Sequence, residues 1–230
     1  HGADALYIGA PQYGARVAAA NTLNDIEQLV QYAHTYNAKV YIALNTLLHD
    51  SELDDAEKMI HQLYNIGVDA LIIQDMGILE MDLPPIALHA STQTHNINPE
   101  RIAFLDKVGF ERIILGRELS LKQIGEICQS THAEIETFVQ GALCVCYSGQ
   151  CYLSQSLNEH SGNRGCCSQP CRSAYNLYNE AGQLLHRNTH LLSLKDFNAS
   201  AHIEEMITMG VKSFKIEGRL KDRDYVTNIV

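Results

Sequence analysis

One unit repeats along most of the chain: a stretch with helical periodicity, a glycine, a short apolar run and then polar residues. The runs that follow a glycine are ALYIGA (5–10), ALIIQD (70–75), RIILGR (112–117) and SFKIEGR (213–219). A glycine suits the left-handed residue that closes a helix, and short β-branched runs are typical of buried parallel strands. Three further runs fit the same role without the glycine: KVYIALN (39–45), IALHAS (86–91) and IETFVQG (135–141). The pattern predicts seven parallel strands.

Amphipathic stretches separate these runs. Apolar residues recur at helical spacing after Thr22 and again after Ser51. Residues 99–108 and 120–130 predict two more helices. Strict alternation of strand and helix implies a parallel sheet covered by helices.

Two α/β architectures accommodate seven parallel strands. An open doubly wound sheet is one, but no G-x-G-x-x-G follows the first strand. A (β/α)8 TIM-type barrel that lacks its first strand and helix in this fragment fits better, because one strand upstream of His1 would close it. In a barrel the carboxyl ends of the strands meet on the catalytic face. Polar residues stand at these ends: Asn45, Gln74, Asp75, Ser91, Thr92, Gln93, Arg117, Glu118, Glu217 and Arg219.

The alternation stops after Gly141. Six of the seven cysteines fall between Cys144 and Cys171, in a glycine-containing stretch that predicts an irregular loop rather than a helix or strand. Asn179 to Gly182 lies between two apolar runs and predicts a β-hairpin. The chain therefore divides into barrel elements (1–141), a Cys-rich loop with a hairpin, inserted before the last strand (142–193), and a return to the barrel (194–230).

Charge and hydropathy narrow the classes of protein. The net charge is -10, with -12 in residues 1–160 and +2 in residues 161–230. The negative net charge argues against a protein that binds nucleic acid over its whole surface. It is compatible with a small basic surface near the cysteines. No apolar run reaches the roughly 20 residues that a membrane span needs. We expect a cytoplasmic protein with no membrane segment.

The cysteine loop admits three chemistries. Disulfides suit small secreted domains better than a barrel with an adequate core. Zinc ribbons normally use C-x2-C pairs, which this loop lacks. An iron–sulfur cluster needs four convergent thiolates, and Cys144, Cys151, Cys167 and Cys171 supply a set with spacings x6, x15 and x3. Spacing alone leaves zinc and iron–sulfur open, with iron–sulfur slightly favoured.

Long motifs carry a family resemblance across essentially the whole chain. They are GADALYIGAPQYGAR, QDMGILE, LHASTQ, GALCVCYSGQCYLS, NRGCCSQPCR and FKIEGRLKDRDYV. The chain resembles the collagenase-like peptidase family of unassigned mechanism. QDMGILEMDLPPIALHAST is most similar to the branch that hydroxylates a cytidine of large-subunit ribosomal RNA.

The resemblance implies oxygen-independent hydroxylation of tRNA uridine, ribosomal RNA cytidine or ubiquinone precursors, with prephenate as the oxygen donor in the RNA branches. It implies a 4Fe-4S cluster held by Cys144, Cys151, Cys167 and Cys171. Cys146 and Cys166 fall where the family fixes no residue. We read Cys128, outside the loop, as a small buried hydrophobe. Some family members act as pairs, so a protein partner for electron delivery is a further expectation.

Six strand-end residues are candidates for the chemistry: His89, Thr92, Gln93, Arg117, Glu217 and Arg219. The two arginines suit carboxylate or phosphate. His89, Thr92 and Gln93 would orient a base or the oxygen donor, and Glu217 would act as acid or base. Structural alternatives are ion pairs across neighbouring strands, formed by Arg117–Glu118 and Glu217–Arg219, and a core role for His89.

Two other functions stay open. A peptidase would fit the family name, but neither an H-E-x-x-H helix nor a G-x-S-x-G elbow is present. An accessory iron–sulfur protein would leave the chemistry to a partner. For the RNA reading, phosphate contacts are expected at six basic residues: Arg164, Arg172, Lys195, Arg219, Lys221 and Arg223.

Overall fold

Seven parallel strands form one sheet, as the sequence predicts. The computed structural model describes residues 2–15, 21–218 and 221–229. Within this part of the chain the strands are β1 (Ala5–Gly9), β2 (Lys39–Leu44), β3 (Ala70–Ile73), β4 (Ala87–Ala90), β5 (Arg112–Ile114), β6 (Glu134–Gly141), β7 (Tyr175–Tyr178), β8 (Leu184–Thr189), β9 (Phe197–Asn198) and β10 (Ser213–Ile216). The parallel sheet runs β1-β2-β3-β4-β5-β6-β10. Chain order is thus kept across the sheet, with only the excursion through β7 to β9 before its last strand.

Helices lie in the connections between the parallel strands, except that β3 joins β4 through a 3-10 helix at Met76–Glu80, so the strict alternation predicted from the sequence fails there. They are α1 (Leu23–Thr35), α2 (Leu53–Ile66), α3 (Pro99–Lys107), α4 (Leu121–Cys128), α5 (Leu153–Asn158), α6 (Ile203–Met209) and α7 (Arg223–Ile229). The first four confirm the predicted helices. Thr22 begins α1 with a capping box, because its hydroxyl accepts from the Asp25 amide and the Asp25 carboxylate accepts from the Thr22 amide. No helix in the described residues is long and apolar enough to cross a membrane.

The sheet curls so that its two outermost strands approach each other. β1 and β10 stand at opposite ends of the strand order, yet the Lys215 Nζ on β10 lies 4.0 Å from the centroid of the Tyr7 ring on β1. One face packs against the helices in the main core, and the other encloses a small second core with Ala43, Ile72 and Phe138. Closure into an eight-stranded barrel stays a prediction.

The insertion is more ordered than the sequence predicts. The hairpin of β7 and β8 is confirmed, with the Asn179 amide donating to the Gln183 carbonyl at 3.0 Å. The prediction of a wholly irregular cysteine loop is wrong, because α5 forms inside it. The α5 segment, LSQSLN, has too few apolar residues to signal a helix. Tertiary bonds hold it instead, since the Ser154 hydroxyl accepts from the Ser168 amide at 2.9 Å.

β9 is a second element that the sequence did not indicate. It pairs antiparallel with β6, with Gly141 opposite Phe197. Two residues are too few to show any period of hydrophobicity. The pairing brings the chain back onto the sheet at the carboxyl end of β6.

A buried carboxylate ties three strands together on the inner face. Glu136 on β6 is 3% exposed. Lys215 donates to it at 2.8 Å, Ser213 at 2.8 Å and Arg112 at 3.3 Å. Burial by itself would raise the pKa of Glu136, but the charge and hydrogen bond of Lys215, with the bond from Ser213 and the charge of Arg112, hold it below its ordinary value. The carboxylate is therefore ionised at neutral pH.

Arg164 fastens the cysteine loop to the sheet domain. Its guanidinium donates to both carboxylate oxygens of Glu52, at 2.6 and 2.7 Å, and to the Leu47 carbonyl at 2.6 Å. The hydrogen bonds from Arg164 and the His49 amide lower the pKa of Glu52 to about 2. Two parallel charge-assisted bonds of this kind fix orientation as well as distance.

Replacing Lys215 by Met should destabilise the protein by about 3 kcal/mol at neutral pH, because it leaves the buried Glu136 carboxylate short of its main cation. The double variant K215M/E136Q removes the charge as well and should recover most of that loss. Urea unfolding of the three proteins measures both values. Equal stability of the single and double variants would show that Glu136 is not held by Lys215.

The Glu52–Arg164 pair predicts a defined loss of stability in acid. The folded pKa of Glu52, about 2, lies below its ordinary value of 4.5, so the pair's contribution is full above pH 4.5 and is lost as pH falls towards 2. E52Q should be less stable than wild type by about 1 kcal/mol at pH 7. That gap should close as the pH drops. Urea unfolding at several pH values tests this, and a gap that stays constant contradicts it.

Candidate functional site

The carboxyl ends of the parallel strands surround a polar cavity of about 120 Å³. Its polar lining comes from five parts of the chain. The polar residues are Tyr7, Asn45, Ser91, Thr92, Gln93, Arg117, Lys215 and Glu217. Parallel strands place their carboxyl ends on one edge, so residues far apart in sequence meet there. The cavity is below the 300–1,000 Å³ range of drug-sized sites, and it suits a small polar group or one end of a larger ligand.

Arg117 and Glu217 form an ion pair at the rim of this cavity. The Arg117 Nη2 donates to the Glu217 carboxylate at 2.8 Å, and its Nη1 donates to the Ala142 carbonyl at 2.7 Å. The guanidinium carbon lies 3.7 Å from the centroid of the Phe138 ring. Glu118 takes no part in this ion pair, because it binds Ser148 instead.

Gly141 makes room for Glu217. A Cβ at Gly141 would lie 2.5 Å from the Glu217 Cβ, and the residue has φ +142°. A larger residue would therefore push Glu217 away from Arg117. The Arg117 Nε is buried and has no hydrogen-bond partner in the described residues.

The other predicted site residues divide into three groups. Thr92 and Gln93 line the cavity with Arg117 and Glu217. His89 is not among the lining residues; it lies buried on β4 with its ring 4.7 Å from the Tyr41 ring. Arg219 falls outside the described residues, and so does its pairing with Glu217.

His89 is uncharged at neutral pH. Burial, and then the nearby charges of Arg112 and Lys215, lower its pKa to about 3, with Glu136 opposing them. Its Nδ1 is buried without a hydrogen-bond partner in the described part of the chain. His89 thus lies next to the buried charge cluster, and the position fits the core role raised from the sequence.

A turn of the cysteine loop is docked onto the strand ends beside the cavity. The Ser148 amide and hydroxyl donate to the two oxygens of Glu118, each at 2.8 Å. The His95 Nδ1 and the Ser148 carbonyl lie 3.0 Å apart. Gly149 approaches so closely that an added Cβ would lie 2.1 Å from the Gln93 carbonyl oxygen, and its φ is +73°. Only glycine fits at this contact.

The four predicted cluster ligands lie in one region as free thiols. Burial and the neighbouring thiols of Cys151 and Cys171 raise the pKa of Cys144 to about 11. Gly162 packs beside Cys167, the fourth predicted ligand. A Cβ added at Gly162 would lie 4.0 Å from the Cys167 Sγ and 3.9 Å from the Cys151 carbonyl oxygen. In the described residues, no three Cys, His, Asp or Glu side chains are placed to hold a metal ion. Four thiols are the right chemical ligands for an iron–sulfur cluster. In this structure their sulfur atoms are not close enough together to hold one.

The remaining cysteines have other contacts. The Cys146 Sγ donates to the Gln150 carbonyl at 3.3 Å, and the Cys166 Sγ to the Arg164 carbonyl at 3.6 Å. Cys128 is partly buried at the end of α4, and burial raises its pKa.

Three of the basic residues predicted to contact RNA are used inside the protein. Arg164 binds Glu52, and Lys221 binds Asp196 at 2.7 Å. Arg172 donates to Ser193 and to the carbonyls of Leu143 and Leu194, at 2.6 to 2.8 Å. Lys195 and Arg223 are exposed, and Arg219 is outside the described residues.

Sequence reasoning missed Lys215 and the roles of Glu118 and Ser148. Lys215 interrupts the apolar run SFKIEG, and a charge inside a buried strand is a usable signal of an inner-face ion pair. Glu118 and Ser148 are separated by 30 positions. Nothing in their local sequence indicates that they meet.

Comparison with known proteins places the chain in a family. The model of peptidase family U32 matches residues 1–230. The 23S rRNA 5-hydroxycytidine C2501 synthase of Escherichia coli (strain K12) is 56% identical over 229 residues, 100% of this chain and 35% of the relative. tRNA hydroxylation protein P1 of Bacillus subtilis (strain 168) is 36% identical over 240 residues, covering 100% of this chain and 57% of the relative.

Two further comparisons bear on the family name and the fold. Collagenase of Porphyromonas gingivalis (strain ATCC BAA-308 / W83) is 29% identical over 244 residues, covering 99% of this chain and 59% of the relative. A solved structure described as the U32 peptidase Mk0906 superposes with a TM-score of 0.60 at 14% identity, covering 94% of this chain and 85% of that one. This likeness shows a shared fold.

The chain spans less than two thirds of the length of each of these three curated relatives. The family match nevertheless covers the chain from its first residue to its last. The chain belongs to peptidase family U32.

Proposed function

We propose that the full-length protein is an enzyme that hydroxylates a base of RNA without molecular oxygen, with a ribosomal RNA cytidine as the first substrate to test. One observation carries the proposal: the whole chain is 56% identical to a protein named as a 23S rRNA 5-hydroxycytidine synthase. Relatives named as tRNA hydroxylation proteins match all or nearly all of the chain at lower identity. These identities favour RNA as the substrate class and ribosomal RNA as its first member.

The cavity supports a small anionic co-substrate such as prephenate. Arg117 and Lys215 bring two cations to its lining, and a guanidinium is well suited to carboxylates. Within the described residues the buried Nε of Arg117 has no hydrogen-bond acceptor, and a ligand oxygen would supply one. Both cations already face internal carboxylates, Glu217 and Glu136. A ligand carboxylate would therefore share Arg117 with Glu217 or displace it.

The same residues define what the protein itself does in the reaction. Arg117 and Lys215 would hold the anionic donor, and Thr92 and Gln93 would orient it by hydrogen bonds. Glu217, kept at the cavity by Gly141 and Arg117, would accept or return a proton. The carboxyl ends of the strands are the part of a barrel where reacting groups converge. We also propose that the full-length protein closes this sheet into a (β/α)8 barrel.

A 4Fe-4S cluster held by Cys144, Cys151, Cys167 and Cys171 is the second part of the proposal. When bound, such a cluster supplies one-electron chemistry. The support is the donor set of four free thiols and the proximity of Cys144 to Cys151 and Cys171. Binding would require the loop to contract and the thiols to lose their protons. The docked Ser148–Gly149 turn would keep this rearrangement beside the cavity.

Peptidase activity is the competing function, because a relative named as a collagenase is 29% identical over nearly the whole chain. An accessory iron–sulfur protein that serves a catalytic partner is the other. In either of these two functions the cavity would bind neither an RNA base nor an oxygen donor. Activity assays on the purified protein separate them from the proposal.

Changing any one of Cys144, Cys151, Cys167 and Cys171 to Ser should abolish iron and sulfide binding, because serine is a poor substitute for a thiolate ligand. Cys146→Ser and Cys166→Ser are matched controls in the same loop and should keep most of the iron. Iron and acid-labile sulfide are measured after anaerobic purification. If the two controls lose the metal and the four variants keep it, the ligand assignment is wrong.

Deleting the gene should remove a hydroxyl group from a base of ribosomal RNA, and wild type but not Cys167→Ser should restore it. Mass spectrometry of digested ribosomal RNA measures the modification. Unchanged hydroxylation in the deletion strain would exclude this substrate, and transfer RNA would be tested next. Gelatin cleavage that survives all four Cys→Ser changes would favour the peptidase function.

A further inference from the structure

Tyr147 presents an aromatic ring to solvent beside the cavity. It is 61% exposed, and its ring meets the His95 ring edge to face, with 6.1 Å between centroids and 82° between planes. Large apolar surfaces of this kind are usually buried. A single exposed tyrosine would need no explanation by itself. Here, however, the backbone next to the ring is held by several contacts.

The backbone that carries Tyr147 is fixed on three sides. The next residue, Ser148, gives its amide and hydroxyl to Glu118 and its carbonyl to the His95 side chain. Gly149 then seats against the Gln93 carbonyl at a distance that admits no side chain. The backbone that carries the ring therefore has little conformational freedom left to lose when a ligand binds, and such preorganisation favours binding.

These contacts also place the turn that carries the ring next to residues of the cavity lining. Gln93, which receives Gly149, lines the cavity. Glu118, which receives Ser148, directly follows the lining residue Arg117. A flat ligand stacked on Tyr147 would thus lie at the rim of the site where the chemistry is proposed.

The charge of the chain favours stacking over phosphate contacts as the main source of RNA affinity. The net charge of the chain is -10. Of the basic residues expected at phosphates, Arg164, Arg172 and Lys221 are engaged in internal bonds, which leaves Lys195 and Arg223 exposed among the described ones. Binding that depended mainly on phosphate neutralisation would need free cations. Single-stranded nucleic acids are also held by stacking of bases on aromatic side chains.

We propose that Tyr147 is a stacking platform for an unpaired RNA base, held at the cavity rim by Glu118, His95 and Gln93. The inference rests on the proposed function, because it takes RNA as the substrate. It adds a specific residue and a specific requirement: the target base must be unstacked from its neighbours or lie in a single strand. Duplex RNA should bind more weakly than the same strand alone.

The test uses full-length protein and a short RNA strand that contains one 2-aminopurine, alone or annealed to its complement. Fluorescence quenching reports stacking of that base, and anisotropy reports affinity. Tyr147→Leu keeps the apolar bulk without the aromatic face, and it should weaken binding of the single strand roughly 5- to 150-fold. Tyr147→Phe keeps the ring and should bind and quench like wild type. Tyr36→Leu, at a 70% exposed tyrosine just after α1, is the matched control and should change nothing.

A second readout separates stacking from a structural role. Loss of a stacking contact leaves the dependence of affinity on salt unchanged, whereas loss of a phosphate contact reduces its slope. Tyr147→Leu should therefore keep both the wild-type salt slope and the wild-type iron content. Wild-type affinity and quenching in Tyr147→Leu would overturn the proposal, as would equal loss in the Phe variant.

Failure of this inference can be told apart from failure of the proposed function. If wild type binds the RNA strand and hydroxylates RNA but Tyr147→Leu does both equally well, only the stacking platform is excluded. If wild type shows neither binding nor hydroxylation, the choice of RNA as the substrate class fails, and the stacking platform fails with it.

Discussion

The buried Glu136 carboxylate is the interaction on which the inner face of the sheet depends. It lies on β6 and takes bonds from β5 through Arg112 and from β10 through Lys215 and Ser213. Lys215 also faces the Tyr7 ring on β1. A charge so deeply buried is tolerated only if it is paired and hydrogen-bonded. Meeting this condition links the two outermost strands of the parallel order through one side chain.

The charge cluster around Glu136 also determines which charges line the cavity. Lys215 contributes both to the charge cluster and to the cavity lining. His89, next to the same cluster, is kept neutral by burial and by the cations around it. The positive charge available to a ligand at the cavity therefore comes from Arg117 and Lys215. Both are already balanced by carboxylates, which favours an anionic ligand that exchanges with Glu217 over one that fills an empty positive pocket.

The cysteine loop is attached to the sheet at two separate places. Arg164 anchors it to Glu52 at the start of α2, and the Ser148–Gly149 turn anchors it at Glu118 and Gln93. The thiols of Cys151 and Cys144 lie on either side of this turn in the chain. A loop held at both points can rearrange around a cofactor without leaving the cavity. Membership of family U32 and similarity to proteins named for RNA hydroxylation are the reasons for proposing RNA chemistry at this site.

Local sequence patterns predict the seven parallel strands, most of the helices between them, the hairpin and the grouping of thiols. These features depend on local signals: runs of β-branched residues, helical spacing, capping residues such as Thr22, and turn residues such as Gly182. The sequence also supplied the family resemblance, which the comparisons confirm. Thr92, Gln93, Arg117 and Glu217 were correctly expected to lie together, because parallel strands share one carboxyl edge.

Which of these residues touch depends on the three-dimensional fold. It paired Arg117 with Glu217 instead of Glu118, set His89 apart from the cavity lining, and used Arg164 and Arg172 for internal bonds. It formed α5 and β9, which have too little local signal of their own. The physical reason is that such contacts join residues 10 to 117 positions apart in the chain. The folding of the sheet, and not the neighbouring sequence, brings them within hydrogen-bonding distance.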